Sequence, residues 1–468
     1  MGKWFVMLSL AQILEALNLN FHANISILHE SITGISIDTR TLQPGNLFIA
    51  LKGKNDGHHY IKEAIKKGAI AVIVEDSFNT EDMTNTTYFK VPHTLEALKK
   101  IGIYARAQCH NTKIIAITGS VGKTTVKEYL KTLMWPFGKT VATQKSYNGS
   151  IGVPYSLAHL SHDSAFGIFE VGMNKRGEIA PLTQMVKPDI AIVTSIHLAH
   201  TEQTGTLDDI AAEKSDILST LEKGNTAILP FNAPHYQFLK DKAARTGANI
   251  ISVGTKQGAD IQLIAFDTHD KGASIKAKVF DDNLSWEMQA YAKHYAISAL
   301  FAVAAALTAG VALDKIKTML PELKPLPGRG SIEKIKLRNG HIITIIDDSY
   351  NANIASMKAG LSILNAVKGK RKIAVLGEMR ELGSQSKHLH EELGRLVSCT
   401  NIDSVFSCGI EMRHFNNKLQ KIQLKGYADT IQNLYIPIEQ ELQNGDVVLL
   451  KGSNGNHIWK IKDYLMNT

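Results

Sequence analysis

Most of the chemistry visible in this sequence is concentrated in one stretch, Ile114-Ile115-Ala116-Ile117-Thr118-Gly119-Ser120-Val121-Gly122-Lys123-Thr124-Thr125. A buried apolar strand runs through two glycines into a helix that opens on Lys-Thr-Thr. Backbone N–H groups of such a turn converge on anionic oxygen, because the aligned peptide dipoles leave partial positive charge at a helix N-terminus. Lys123 can then reach the β- and γ-oxygens of a nucleotide, and the Thr124 hydroxyl can ligate Mg²⁺. This assigns Thr118, Gly119, Ser120, Val121, Gly122, Lys123, Thr124 and Thr125 to a nucleotide such as ATP. The loop is a variant, since Ile117 stands where the pattern G-x-x-x-x-G-K-[ST] has its first glycine.

Other groups with chemical potential are scattered along the chain. Glu170 ends an apolar run, a position from which a carboxylate can meet the metal of a bound nucleotide, although a strand-end Glu also suits solvent. His200 follows the apolar run Ile190 to Ser195 and by itself reads as structural; His197 is its rival three residues earlier. Lys214 lies beside Glu213 and Asp216 on a helical stretch, ordinarily a solvated face. Ser36 to Arg40, followed by Gly53 and Gly57, reads as a turn between strands in which Arg40 offers a planar fork suited to phosphate.

The elements that must position these groups alternate between strand and helix. Ile35 to Glu75 gives a strand, a Pro44-Gly45 turn, a strand Leu47 to Leu51, a helix near Ile61 to Lys67 and a strand Ala69 to Glu75. From Lys113 a second unit opens with strand, loop and a helix Lys123 to Leu133. Strands at Gly167 to Val171, Ile190 to Ser195, Ala227 to Pro230 and Ile250 to Val253 favour a doubly wound sheet over separate hairpins. Lys324-Pro325-Leu326-Pro327-Gly328 cannot continue a helix and reads as a linker. A third α/β unit follows, with strands at Ile342 to Ile346, Ile373 to Leu376, Ser404 to Ser407 and Val447 to Leu450. The expected fold class is therefore α/β in three domains: a small N-terminal α/β domain (1–110), a central phosphate-loop domain with a doubly wound, mostly parallel sheet (111–325) and a Rossmann-like domain (326–468).

Composition narrows the function classes. The 468 residues suggest about three domains. An excess of 52 basic over 44 acidic residues, net +8, is modest and spread along the chain, so it does not draw the footprint of a nucleic-acid binder. Phosphate-bearing small substrates account for it equally well. Cys109, Cys399 and Cys408 show no CxxC spacing and read as reduced cytoplasmic thiols. The apolar start resembles a signal peptide, yet Glu15 favours an amphipathic helix, and Ile297 to Leu313 carries Ser298, Thr308 and Gly310 and reads as a buried helix rather than a membrane span.

The form Thr-Gly-Ser-x-Gly-Lys-Thr resembles the loop of the Mur ligase family and its folylpolyglutamate synthase relatives. The resemblance runs from about Ile35 to Ser453, through Ile37 to Arg40 with Pro44 to Phe48, Ser146-Tyr147-Asn148, Glu170 to Asn174, His200, Ala212 to Asp216, Asp347 to Asn353, Gly377 to Gly383 and Lys451-Gly452-Ser453. It departs at Asn148-Gly149, where the family has Asn-Asn, and at His294-Tyr295-Ala296-Ile297-Ser298, where it has His-Asn-x-x-Asn, although Tyr295 can stack on a base. Asn454 to His457 also replaces an Arg-containing stretch.

What the resemblance implies is an enzyme: an ATP-dependent ligase that activates a carboxylate as an acyl phosphate and forms an amide, releasing ADP and phosphate. Asp347 to Asn353 looks like the dipeptide-adding type. The implied partners are then UDP-N-acetylmuramoyl-tripeptide and D-alanyl-D-alanine, in peptidoglycan precursor synthesis, with links to cell wall biogenesis, cell shape and cell division. The resemblance also implies two Mg²⁺ ions, with Thr124, Glu170, His200 and a CO2-derived carbamate on Lys214 as ligands. Lys123, Lys214 and His200 become the catalytic set. Ser36, Asp38, Thr39, Arg40 and Asn148 would hold the nucleotide substrate, while His294, Arg329 and Asp348 would join the ATP contacts, and the C-terminal domain would bind the dipeptide and close on ATP. A cytoplasmic monomer, without nucleic acid or membrane insertion, is expected. Two alternatives stay open at this level: another ligase of the family or folylpolyglutamate synthase, and a nucleotide-switched regulatory protein, against which the lack of Asn-Lys-x-Asp argues.

Overall fold

In the computed structural model, residues 7–19, 29–53, 55–81, 83, 86–144, 146–197, 205–420 and 423–467 are described. The chain packs into two units, one of residues 1–195, 211–251 and 304–311 and the other of residues 196–210, 252–303 and 312–468.

The first unit begins with a helix, Leu10–Leu17, that buries Leu10, Ile13, Leu14 and Leu17, the one-sided spacing of an amphipathic helix. Ser9 and Gln12 close a reciprocal capping box at its start. Four parallel strands follow, β1 (Gly34–Ser36), β2 (Asn46–Ile49), β3 (Ala71–Glu75) and β4 (Tyr88–Val91), paired in chain order. A second parallel set comprises β5 (Lys113–Thr118), β6 (Thr140–Ala142), β7 (Phe166–Glu170), β8 (Ile190–Val193) and β9 (Thr226–Pro230), in the order β9-β8-β5-β7-β6. Ile114 to Ile117 and Ala191 to Val193 are wholly buried, which is why these strands read as unbroken apolar runs. From β5 the chain goes to β6 and β7 on one side and to β8 on the other, so the order reverses at β5. In open α/β sheets, ligands sit at the carboxyl ends of the strands flanking such a reversal.

β10 (Asn249–Gly254) carries the chain from the first unit into the second, where its last two residues pair with β11 (Ile261–His269). β11, β12 (Gly272–Val279) and β13 (Asp282–Met288) form an antiparallel meander that the expected strand set lacked. Its faces alternate between Ala273, Ile275, Ala277 and Val279 inside and Lys276 and Lys278 outside, and that half-polar rhythm hides it among loop-like residues. The apolar helix expected from Ile297 runs instead over Lys293–Thr308, and the chain turns at Gly310 with φ 95°. Among the described residues no helix is long and apolar enough to cross a membrane.

The rest of the second unit is a sheet of β14 (Ser331–Lys336), β15 (Ile342–Asp348), β16 (Lys372–Gly377), β17 (Ser404–Cys408), β18 (Leu424–Ala428) and β19 (Val447–Lys451), in the order β14-β15-β19-β16-β17-β18. Only β14 is antiparallel to its neighbour. Ile345, Val375, Phe406, Val448 and Leu450 anchor its core against Ile438, Ile458 and Ile461.

A candidate phosphate-binding site

The loop between β5 and the helix Lys123–Met134 is shaped by two left-handed glycines and braced from β8. Gly122 caps the helix at φ 88°. Gly119 sits at φ 148°, and a Cβ there would lie 2.0 Å from Thr194 Oγ1, so no other residue fits. Thr194 Oγ1 donates to Val121 O at 2.6 Å, while Ser195 O accepts the Ser120 N–H and Ser195 Oγ the Val121 N–H, each at 3.0 Å. Sequence reasoning missed Thr194 and Ser195, whose one available signal was their place just after β8, at the carboxyl end of a strand flanking the reversal. Their contacts hold the amides of Ser120 and Val121 on Ser195. The first helical turn, Lys123 to Thr125, carries N–H groups of the kind an α-helix leaves without intrahelical acceptors. Lys123 Nζ donates to Gly119 O at 2.6 Å, and Thr118 is fully buried at the base of the loop.

Three predicted site residues meet at Glu170. Its side chain, 1% exposed, accepts the Thr124 hydroxyl at 2.9 Å and Asn148 Nδ2 at 2.8 Å. Burying a carboxylate is costly unless it is hydrogen-bonded. The solvent-facing alternative for Glu170 therefore fails, and its oxygens are aimed at the helix start. A carboxylate next to a threonine hydroxyl is the hard-oxygen set that Mg²⁺ takes from protein, with phosphate and water supplying the rest.

Lys214, at the end of the helix Leu207–Ser215, is 4% exposed, and its Nζ makes no hydrogen bond among the described residues. Burial pushes its ammonium down to about 7, Lys123 adds to the effect and Glu213 opposes it. The solvated helix face is thus excluded. Glu213 itself accepts the amides of Gly177 and Ile179 at 2.7 and 2.9 Å, tying the segment after β7 to this helix. His200 lies outside the described residues; His197 is exposed.

At the N-terminal sheet, the Arg40 guanidinium binds its own Asp38, with Nε at 2.9 Å and Nη2 at 2.6 Å from the carboxylate, and stands 85% exposed. Asp38 thereby orients the fork of Arg40 at the surface of this sheet. Ser36 Oγ donates to Asp38 O at 2.9 Å, and Thr39 is buried with its carbonyl accepting Lys67 Nζ at 2.8 Å.

Within the second unit, Asp348 Oδ2 lies 2.7 Å from the fully buried Lys451 ammonium. The Arg329 guanidinium stacks 4.1 Å above the Tyr350 ring. Tyr295 is 3% exposed, its hydroxyl donates to Arg329 O at 2.6 Å and its ring lies 4.0 Å from that of His294. No ring face of Tyr295 is open to a base, so the stacking role is withdrawn.

A strand-loop-helix with Gly-Lys-Thr-Thr at a sheet reversal, and a buried carboxylate on its threonine, defines a phosphate-loop α/β protein. Three family models match in succession: Mur ligase family, catalytic domain, over residues 31–110; Mur ligase middle domain over 117–306; and Mur ligase, glutamate ligase domain, over 332–454. The chain is 32% identical to UDP-N-acetylmuramoyl-tripeptide–D-alanyl-D-alanine ligase of Rickettsia prowazekii, covering 92% of this chain and 94% of the relative. Against the enzyme of the same name from Escherichia coli, identity is 31%, with 81% and 82% covered. A crystal structure of MurF from Acinetobacter baumannii superposes with a TM-score of 0.84 at 27% identity, covering 98% and 99%. That of the Thermotoga maritima MurF ligase in complex with ADP gives 0.77 at 26%, covering 93% and 97%. The chain belongs to the Mur ligase family.

Proposed function

We propose that this protein joins D-alanyl-D-alanine to UDP-N-acetylmuramoyl-tripeptide at the expense of ATP, completing a peptidoglycan precursor. The names borne by its relatives support the substrates, and the observation that carries the chemistry is the Thr124–Glu170–Asn148 cluster under the phosphate loop. A carboxylate has too poor a leaving group to react with an amine at neutral pH. The tripeptide's terminal carboxylate oxygen therefore attacks the γ-phosphorus, and ADP leaves. The dipeptide's amine then attacks the acyl carbon, losing a proton, and phosphate leaves. Lys123 and the first-turn amides hold the phosphoryl group and offset its charge.

Thr124, Glu170, His200 and a carbamylated Lys214 would hold Mg²⁺, two ions in all, which neutralise phosphoryl charge when bound. The depressed Lys214 supports the carbamate: an amine near 7 is partly neutral at physiological pH and so nucleophilic toward CO2. Ser36, Asp38, Thr39, Arg40 and Asn148 are assigned to the nucleotide substrate, and His294, Arg329 and Asp348 to ATP. The domain limits 1–110, 111–325 and 326–468, a cytoplasmic location and roles in cell shape and division belong to the same reading.

The test is to supply ATP, Mg²⁺ and D-alanyl-D-alanine with a nucleotide tripeptide ending in diaminopimelate or in lysine, and to weigh the product. ADP release is expected only with both cosubstrates; equal turnover without the dipeptide would sink the proposal.

A further inference from the structure

We propose that Lys127 is a positioning residue for the metal-binding edge of this site, acting through Thr143 on Glu170. The proposal rests on the reading of Glu170 as a Mg²⁺ ligand. Lys127 has no exposed surface, a condition lysines almost never meet unless their charge is paired. It lies one helical turn beyond Lys123, but its ammonium turns away from the phosphate loop toward the edge strand β6. There Nζ donates to Thr143 O at 2.7 Å and meets Glu128 Oε1 at 2.9 Å. A methionine would fill the same volume without burying a charge, so packing alone does not account for the ammonium.

Thr143 links that ammonium to the carboxylate. Its N–H donates to Ile168 O at 3.0 Å, and its hydroxyl accepts the Glu170 N–H at 3.0 Å. With Lys127 on its carbonyl, all three polar groups of Thr143 are fixed, two of them onto the end of β7 that carries the carboxylate. From Thr143 the chain leads to Asn148, whose carbonyl accepts the Gly172 N–H at 2.8 Å and whose amide holds Glu170 Oε1. The backbone of Glu170 is thus gripped by Thr143, and its side chain by Asn148 and Thr124. Lys127 is the buried charge that fixes Thr143. Groups that orient a ligating carboxylate commonly change metal affinity by about 10- to 100-fold when removed.

The experiment measures ADP binding by calorimetry across a Mg²⁺ series, so its readout is independent of turnover. If the wild-type protein shows no Mg²⁺-dependent ADP binding, the reading of the site fails before Lys127 is at issue. Given that binding, Lys127→Met should raise the Mg²⁺ concentration needed for half-maximal ADP affinity by about tenfold, with Mg²⁺-free ADP binding unchanged. Thr143→Val, which removes the acceptor for the Glu170 N–H, should give the same shift, and Thr143→Ser should restore the wild-type requirement. The double variant Lys127→Met/Thr143→Val should be no worse than either single, as residues acting along one path are not additive. Should Lys127→Met fail to fold, the Thr143 pair decides alone. A wild-type Mg²⁺ requirement in Thr143→Val, or additive shifts in the double variant, overturns the proposal.

Discussion

At the scale of single residues, Lys214 is the most informative side chain. An ordinary lysine is charged to pH 10.5 and this one only to about 7, so between those values the unfolded chain binds a proton that the folded, unmodified chain does not. Stability contributed by this site should therefore rise with pH across that window and be flat below it. The measurement is denaturant unfolding of wild type against Lys214→Met in CO2-free buffer. The wild type should gain on the variant from pH 7 upward; parallel curves would contradict the buried, unmodified amine. For catalysis, Lys214→Ala should lose most ligase activity and recover part of it with a small carboxylic acid that restores an anion. Lys123→Ala, which removes a cation, should lose on the order of 10² in rate and gain nothing from the acid.

The elements fix these residues through a brace that spans the sheet reversal. Ser195→Ala removes one acceptor from the Val121 amide while leaving β8 intact, so the loop should loosen without unfolding. Losing such a bond costs about 1 kcal/mol, and ADP affinity should fall by about fivefold in equilibrium dialysis. Gly119→Ala should be far worse, since its Cβ meets Thr194 Oγ1. The strand that leads into the phosphate loop and the strand that ends at Glu170 were legible because strands buried on both faces are apolar throughout. Thr194, Ser195 and Thr143 were not, because a small hydroxyl residue after a strand looks the same whether it faces water or holds a neighbouring backbone. Tyr295 misled for a related reason: residue type tells what a group can bind, while the Arg329 carbonyl, which binds its hydroxyl first, is set by tertiary position. The meander β11–β13 stayed hidden because a sheet with one polar face reads weakly beside fully buried strands.

For the molecule as a whole, the net charge of +8 and the pI near 9.0 matter chiefly through encounter with an anionic nucleotide substrate. Long-range attraction of that kind is screened within about 10 Å at 0.1 M salt. Raising ionic strength should increase the KM for the nucleotide tripeptide while leaving kcat nearly constant; a fall in kcat at constant KM would place the salt effect at the chemical step instead.

The pairing of Thr124 with Glu170 joins residues 46 positions apart, that of Val121 with Ser195 joins residues 74 apart, and Asn148 reaches across 22. None of these bonds can form until β5, β7 and β8 lie side by side, and long-range pairing of parallel strands is slow relative to helix formation. The site is therefore late in time as well as buried in space: a refolding chain should regain its helical signal well before it can capture ADP, and ligand added early should quicken nothing until that sheet has assembled.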